Sequence, residues 1–401
     1  MSGIVIIGAG QAGSSLAIKL RALGYQGTVT LIGEEPYAPY QRPPLSKTYL
    51  LGEMALERLY LRPEEVYRDQ NIELRLGTQV TAIDPVAQVI SLGAETLSYD
   101  QLALTTGSTP RLLPEAIGGR LQNVFAVRGL ADVDAMRPAF ERGGHVLIIG
   151  GGYIGLEAAA VAAKRGLKVT LVEMADRILQ RVACAETSDY FRALHQSHGV
   201  TLLEGVGLSS LTGTDHVTGA ILSNGATLDI DFALVGVGIQ PNTQLADAAG
   251  LTLNNGIETN ALGQTSQSKI WAAGDCASFP YQGERIRLES VPNAIDQAEV
   301  VAANMLGAQK AYHATPWFWS DQYDVKLQIS GLNQGFENVV TRIGEAGRSH
   351  WYYKAGQVLA VDAMNDPRAY MVAKRLIEAG MTADSALVAD PGSNLKALLR
   401  G

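Results

Sequence analysis

Cysteine is almost missing from this chain. Its 401 residues include only Cys184 and Cys276, 92 positions apart. There is therefore no C-x-x-C pair, no metal-ligand cluster and no disulfide framework. Aromatic residues make up 6%, and basic residues are outnumbered by acidic ones, 32 to 40, for a net charge of −8. That balance argues against a general nucleic-acid binder or a polybasic membrane anchor. No apolar run approaches the roughly 20 residues of a membrane-spanning helix. The first apolar stretch, Ile4 to Ile7, lacks the charged lead-in of a signal peptide. A start at Met1 or Ser2 and a reducing, cytoplasmic location are expected. Glycine is what the chain has in excess: 43 residues, against a usual share of ~7%. No G-X-Y period accompanies it, so the surplus belongs in turns or ligand loops. With 47% hydrophobic residues, a chain of this length predicts two or three packed domains.

An internal echo sets the architecture. Ile4 to Glu35 and Val146 to Met174 follow one grammar: apolar strand, glycine turn, alanine-rich helix, glycine stop, second apolar strand. Two βαβ units are implied, with helices over Ser14–Leu23 and Leu156–Arg165 that stop at Gly24 and Gly166. The nearly continuous apolar strands suit a parallel sheet buried on both faces. A second echo aligns Asp100, Gly107 and Pro110 with Asp231, Gly238 and Pro241. Paired in this way, these segments read as the exits of two nucleotide-binding domains. The expected organisation is one discontinuous domain of residues 1–109 and 239–310, an inserted domain of 110–238, and a small C-terminal α+β domain of 311–401. In that last domain, aromatic and β-branched patches predict a small sheet, and 370–379 and 385–399 predict helices.

Gly8-Ala9-Gly10-Gln11-Ala12-Gly13 is a G-x-G-x-x-G between a strand and a helix, the setting in which the pattern has a mechanical meaning. Gly8 permits the turn, Gly10 admits a pyrophosphate, and Gly13 lets helix and strand pack closely. The helix N-terminus offers unpaired N–H groups to the phosphates. Its N-terminal position is typical of FAD. The second loop, with Gly150, Gly152, Tyr153, Ile154 and Gly155, is followed by Glu173 at the end of an apolar strand. A carboxylate there accepts from both adenosine-ribose hydroxyls and repels a 2′-phosphate, which favours NADH over NADPH. Gly238 joins the candidate nucleotide-binding set. In the first unit Gly33 occupies the place of Glu173; Glu34 is the choice for the FAD ribose, with Glu35 the alternative.

Four further segments complete the pattern: Arg42 to Lys47 (RPPLSK), Trp271 to Asp275 (WAAGD), Glu289 to Ala294 (ESVPNA) and Phe318 to Tyr323 (FWSDQY). With both glycine loops, the chain resembles over essentially its whole length the putidaredoxin-reductase-like NADH:ferredoxin reductases. The resemblance implies a glutathione-reductase-like α/β fold: two Rossmann-like dinucleotide-binding domains and a small C-terminal α+β domain. It implies FAD and NADH as cofactors and a [2Fe–2S] ferredoxin as a transient acceptor that feeds a cytochrome P450 or ring-hydroxylating dioxygenase. Arg42 and Lys47 match the cationic pair near the flavin, Val80 the adenine side, and Arg128 an FAD-contacting arginine. Gly274 and Asp275 match the second FAD motif, and Val291 and Pro292 the helix start at the flavin's pyrimidine end. Glu157 matches a carboxylate beside the nicotinamide and Trp319 the route of electron exit. Lys47, Glu157 and Trp319 are the catalytic candidates.

Tyr37 to Gly52 contains no cysteine, so the redox pair of flavoprotein disulfide reductases is missing, and electrons are expected to leave the flavin directly. Rubredoxin reductase, monodehydroascorbate reductase and NADH oxidase share nearly all these motifs. A redox-responsive binding protein of the apoptosis-inducing-factor kind is the non-enzyme alternative. Arg62, Arg285, Arg287 and Lys310 are available for an acidic partner. A monomer or weak homodimer is expected, without metal, nucleic acid or membrane.

Overall fold

A computed structural model describes residues 3–345 and 347–400. The expected start at Met1 or Ser2 lies outside the described residues. Those residues pack as two compact units. The first is drawn from Met1–Arg42, Ala55–Thr109 and Ile239–Pro316; the second is drawn from Pro43–Met54, Pro110–Gly238 and Trp317–Gly401. The RPPLSK segment is thus divided: Arg42 belongs to the first unit and Lys47 to the second.

The first unit is built on a seven-stranded sheet. Its strand order is Ile72–Arg75, Val29–Ile32, Gly3–Ile7, Glu95–Leu104, Val89–Leu92 and Ala82–Asp84, with Ile270–Ala272 also paired to Glu95–Leu104. Gly3–Ile7 runs parallel to both of its neighbours. Every residue of Gly3–Ile7 and Val29–Ile32 is buried, which is why these strands read as unbroken apolar runs rather than alternating ones. Helix Gln11–Ala22 turns Leu16, Ala17 and Leu20 into a core shared with Ala298, Val301 and Ala302 of helix Val291–Met305. Fully burying a leucine contributes about 2–3 kcal/mol, and the alanines let two helix backbones approach. Helix Gln11–Ala22 ends where Gly24, at φ +85°, turns the chain. There the N–H groups of Gly24 and Tyr25 donate back to the carbonyls of Arg21 and Leu20, a Schellman closure.

The second unit holds a parallel sheet in the order Thr201–Glu204, Lys168–Glu173, His145–Ile149, Phe232–Val235 and Val124–Phe125. Helix Tyr153–Lys164 follows the central strand and closes at Gly166 with the same pair of backbone bonds. The aromatic patches after Tyr312 form a five-stranded antiparallel sheet: Trp317–Gln322, Val325–Gly331, Gln357–Met364, Arg348–Lys354 and Asn338–Ile343. Helix Pro367–Glu378 packs Ala369, Val372, Ala373 and Leu376 against Trp351 and Val361 of that sheet. The tail expected to be helical over 385–399 is instead interrupted. Helix Ser385–Ala389 stops ahead of Pro391-Gly392, and a 3₁₀ turn resumes at Leu395. Proline lacks the N–H that a helix needs there. Among the described residues, no helix is long and apolar enough to cross a membrane.

Candidate functional site

Both glycine loops sit at the carboxyl end of a central parallel strand, where the sheet's connections leave in opposite directions and open a crevice for a ligand. Their local geometry is nearly duplicated. Gly8 and Gly150 have φ of +111° and +109°, and a Cβ on them would lie 2.2 and 2.4 Å from the Thr105 and Gly236 carbonyl oxygens. Only glycine takes that turn without strain. A Cβ on Gly13 or Gly155 would meet the carbonyl oxygen of Gly8 or Gly150 at 2.0 Å, so these two glycines serve close packing. Gly10 and Gly152 are different, because a Cβ there would meet nothing within 4 Å. Each is the N-cap of its helix and supplies no side-chain cap. Uncapped N–H groups beside open space fit a dinucleotide pyrophosphate.

In the first unit, the WAAGD segment faces the same crevice. Gly274 has φ +81°, and its closest neighbour is the Ala12 methyl, 3.0 Å from where a Cβ would stand. The Gly274 N–H donates to Gln297 Oε1 at 2.8 Å. The Gln297 amide nitrogen, fully buried, has no protein partner. Asp275 Oδ2 accepts from Ser108 Oγ at 2.8 Å. Burial by itself would lower the Arg42 pKa, but Tyr40, Glu35 and Asp275 more than offset it and raise it. Arg42 donates to Glu35 Oε1 at 2.5 Å, and Tyr40 Oη donates to Glu35 Oε2 at 2.5 Å. Glu35 is thereby occupied, whereas Glu34 is exposed and accepts from Gln79 Nε2 at 3.4 Å. Val80 is buried in the core beside Ile7 and Ile32. Val291 is the first residue of its helix, Pro292 follows, and Ser290 Oγ caps it by accepting from the Asn293 N–H.

In the second unit, Glu173 is anchored by backbone. Its Oε2 accepts from the Gly151 N–H at 2.7 Å and its Oε1 from the Ala175 N–H at 2.8 Å. The remaining lone pairs are free to accept from ribose hydroxyls. Tyr153 packs its ring 4.9 Å from Phe318, and burial pushes its phenol well above the ordinary range. Ile154 is exposed. Gly238, at φ +104°, has the Arg111 and Arg181 side chains as neighbours. The Arg128 N–H donates to the Asp132 carboxylate that also caps the next helix.

Two of the three catalytic candidates, Lys47 and Glu157, meet in this unit. Lys47 Nζ pairs with Glu157 Oε1 at 2.8 Å, with side chains 16% and 9% exposed. Burial raises the Glu157 pKa, although Lys47, Ser320 and the Asp321 backbone pull it down. Ser320 Oγ donates to the same carboxylate oxygen at 2.8 Å. Trp319 precedes Ser320 on the strand Trp317–Gln322, half-buried between Trp317 and Phe318, with ring centres 5.7 and 6.4 Å away. Sequence reasoning quoted Ser320 inside its motif without giving it a task, and missed Gln297 and Ser108. Their neighbours are distant in the chain, so no local spacing marks them.

Of the four cations available to an acidic partner, Arg62 and Lys310 are exposed, whereas the other two are bonded within the fold. Arg285 donates to the Thr259 and Ser278 carbonyls, and Arg287 pairs with Glu289 at 2.5 Å. Cys184 and Cys276 are buried, and burial raises the pKa of each thiol, which makes them poor nucleophiles.

Comparison with known proteins agrees with this geometry. Residues 2–298 match the family described as pyridine nucleotide-disulphide oxidoreductase, and residues 317–399 match the reductase C-terminal family. Putidaredoxin reductase CamA of Pseudomonas putida is 40% identical over 99% of this chain and 96% of its own. Rhodocoxin reductase of Rhodococcus erythropolis is 39% identical over 98% and 93%. The crystal structure of the ferredoxin reductase for the CYP199A2 system of Rhodopseudomonas palustris matches with a TM-score of 0.95 at 39% identity, covering 99% of both chains. The covalent putidaredoxin reductase–putidaredoxin complex matches equally well, with a TM-score of 0.95 at 39% identity, over 100% of this chain and 98% of that one.

Proposed function

The chain belongs to the pyridine nucleotide-disulphide oxidoreductases, among the putidaredoxin reductase-like ferredoxin reductases, and from that premise we propose that it is an FAD-dependent NADH:ferredoxin oxidoreductase. Its acceptor is a [2Fe–2S] ferredoxin serving a cytochrome P450 or a ring-hydroxylating dioxygenase. The observation that carries this reading is the duplicated glycine loop, each copy with an open second glycine and an uncapped helix N-terminus, in a chain whose cysteines are both buried. Two dinucleotides can be held, and no exposed thiol stands ready to relay electrons between them and the acceptor.

Gly8, Gly10, Ala12 and Gly13 hold the FAD pyrophosphate, and Glu34 accepts from its ribose. Gly274 and Asp275 line the flavin's sugar chain, Arg42 offsets phosphate charge, and Val80, Arg128, Val291 and Pro292 complete the contacts. Gly150, Gly152, Tyr153, Ile154 and Gly155 hold NADH, with Glu173 on the adenosine ribose and Gly238 beside the nucleotide. Bound flavin supplies hydride acceptance and one-electron release. The chain's own work is orientation: Glu157, held by Lys47 and Ser320, accepts from the nicotinamide carboxamide, and Trp319 stands on the route of electron exit. Residues 1–109 and 239–310 form the FAD-binding domain, 110–238 the NADH-binding domain and 311–401 the C-terminal domain. The buried free thiols suit a reducing cytoplasm, and the protein acts as a monomer or weak homodimer.

The test is an anaerobic titration of the yellow holoprotein with NADH and NADPH, followed by turnover on a [2Fe–2S] ferredoxin and on a rubredoxin. Bleaching by NADH with faster turnover on the ferredoxin supports the reading. A protein that stays colourless after reconstitution with FAD, or that bleaches but reduces no [2Fe–2S] ferredoxin, refutes it.

A further inference from the structure

The Glu157 carboxylate is the end of a longer chain of hydrogen bonds inside the second unit. Ser320 Oγ lies 2.8 Å from Glu157 Oε1. Gln322 Nε2 lies 3.2 Å from Ser320 Oγ. His195 Nε2 lies 2.9 Å from Gln322 Oε1, and Tyr323 Oη lies 3.0 Å from His195 Nδ1. Ser320, Gln322 and His195 are each 0% exposed.

The direction of every link follows from the groups. An amide oxygen only accepts, so His195 Nε2 carries the proton and donates to Gln322. Neutral imidazole then has a bare Nδ1, which accepts from Tyr323. Burial pushes the His195 pKa down to about 4, so the ring is neutral at working pH. The Gln322 amide nitrogen only donates, so Ser320 accepts from it and turns its own O–H to Glu157. All four donors point toward the carboxylate. The amide in the middle neither takes up nor releases a proton near neutrality, so this is a fixed dipole chain rather than a proton wire.

The outer end is also specified. Tyr323 opens the two-residue turn between Gln322 and Val325 at φ +56°, a conformation that normally favours glycine. Its ring stacks on His198, with centroids 3.7 Å apart and planes 14° apart. A tyrosine in that backbone region is retained by what its ring and hydroxyl touch.

The geometry points to Gln322 and His195 as positioning residues for hydride transfer: through Ser320 they fix the orientation and ionised state of Glu157, far from the nicotinamide itself. This inference rests on the reading of Glu157 as the carboxylate that orients the nicotinamide. The elements packed against the helix of Glu157 carry few other ionisable groups that reach it. Segment Leu45–Tyr49 contributes Lys47, and strand Trp317–Gln322 contributes Ser320 and the Asp321 backbone. On the two strands beneath its helix, His145 is bonded to Thr170 and the Asp229 carbonyl, Glu173 is held by backbone N–H groups, and Lys168 is exposed. On its own helix Tyr153 packs on Phe318, and Lys164 pairs with Glu53. Beside His195 stand the ionisable groups His198 and Tyr323.

The experiment is stopped-flow reduction of the bound flavin by NADH from pH 5.5 to 9 in the full-length holoprotein. It compares wild type with Glu157→Gln, Gln322→Glu, His195→Leu and His195→Gln. Gln322→Glu keeps the shape but replaces the donor to Ser320 with an acceptor. Its reduction rate should fall about tenfold at pH 7, with the acid limb of the profile displaced to higher pH. His195→Leu should slow reduction by a smaller factor, and His195→Gln, which restores an N–H toward Gln322, should recover most of that loss. If Glu157→Gln slows reduction while Gln322→Glu keeps the wild-type rate and pH profile, the inference is overturned and the reading of Glu157 survives. If Glu157→Gln itself reduces at the wild-type rate, both fail together. Should Gln322→Glu not retain flavin, the His195 pair decides: equal rates in His195→Leu and His195→Gln overturn the proposal.

Discussion

Replacing Lys47 with methionine removes the cation from a pair that is mostly out of water while keeping its aliphatic stem. At 2.8 Å and an effective dielectric of about 20, the lost attraction is about 6 kcal/mol. The charge left behind then bears its desolvation alone, and breaking a buried pair in this way typically costs about 3–5 kcal/mol. Lys47 is 16% exposed, so water reaches the gap, and Ser320 still donates to the carboxylate; both place the cost near the lower end, about 3 kcal/mol. For a body the size of the second unit, each kcal/mol moves Tm by about 2–4 °C, giving a fall of about 6–12 °C at pH 8. The pH dependence has a definite sign. The Glu157 pKa is raised by burial in the wild type and rises further without Lys47. A raised carboxyl favours the folded state below its unfolded value and loses that advantage as pH rises through the folded value. The deficit should therefore shrink on acidification. Adding Glu157→Gln to Lys47→Met should restore most of the stability at pH 8. Calorimetry or circular dichroism of the four proteins at pH 5.5 and 8 measures the cycle. A Lys47→Met loss below about 1 kcal/mol, the range of exposed ion pairs, would refute the reasoning.

Other outcomes follow from the same geometry. A Cβ added at Gly10 would meet nothing within 4 Å, so the Gly10→Val apoprotein should fold with wild-type circular dichroism yet fail to retain FAD; a yellow Gly10→Val protein contradicts the pyrophosphate assignment. Glu173→Ser removes the charge that opposes a 2′-phosphate, and the NADH-over-NADPH ratio of kcat/KM should fall at least about tenfold; an unchanged ratio places the selectivity elsewhere. Asp362, fully buried, is raised from 3.8 to about 6. Its contribution to stability is complete below pH 3.8 and is lost as pH rises through about 6. Thermal melts between pH 4 and 7 should show that component in the wild type and not in Asp362→Asn; equal slopes refute it.

Much of the nucleotide-binding architecture could be read from local pattern, because its determinants are close in sequence. A strand, a turn that demands glycine at Gly8 and Gly150, and a helix with small residues at Gly13 and Gly155 are set by sterics across a few positions. The glycine stops at Gly24 and Gly166 are equally local. Less of the charged machinery was legible. Glu34 and Glu35 are adjacent in sequence, yet Arg42 and Tyr40 occupy Glu35 and leave Glu34 exposed. The helical tail was read too long because Pro391-Gly392 outweighed the apolar spacing around it. His195 carries no motif and lies amid an ordinary amphipathic helix; only its burial against Gln322, 127 positions away, gives it a place.

What the sequence by itself determined is the doubled βαβ frame and the geometry of its two glycine loops, because backbone sterics and hydrophobic periodicity act over neighbouring residues. Tertiary structure alone decided which unit each half of RPPLSK joins and which carboxylate Lys47 meets. It also decided that Ser320, Gln322, His195 and Tyr323 line up behind Glu157. Those facts depend on burial and on donors and acceptors brought together from distant segments, where desolvation makes each unpaired group costly and so fixes its partner.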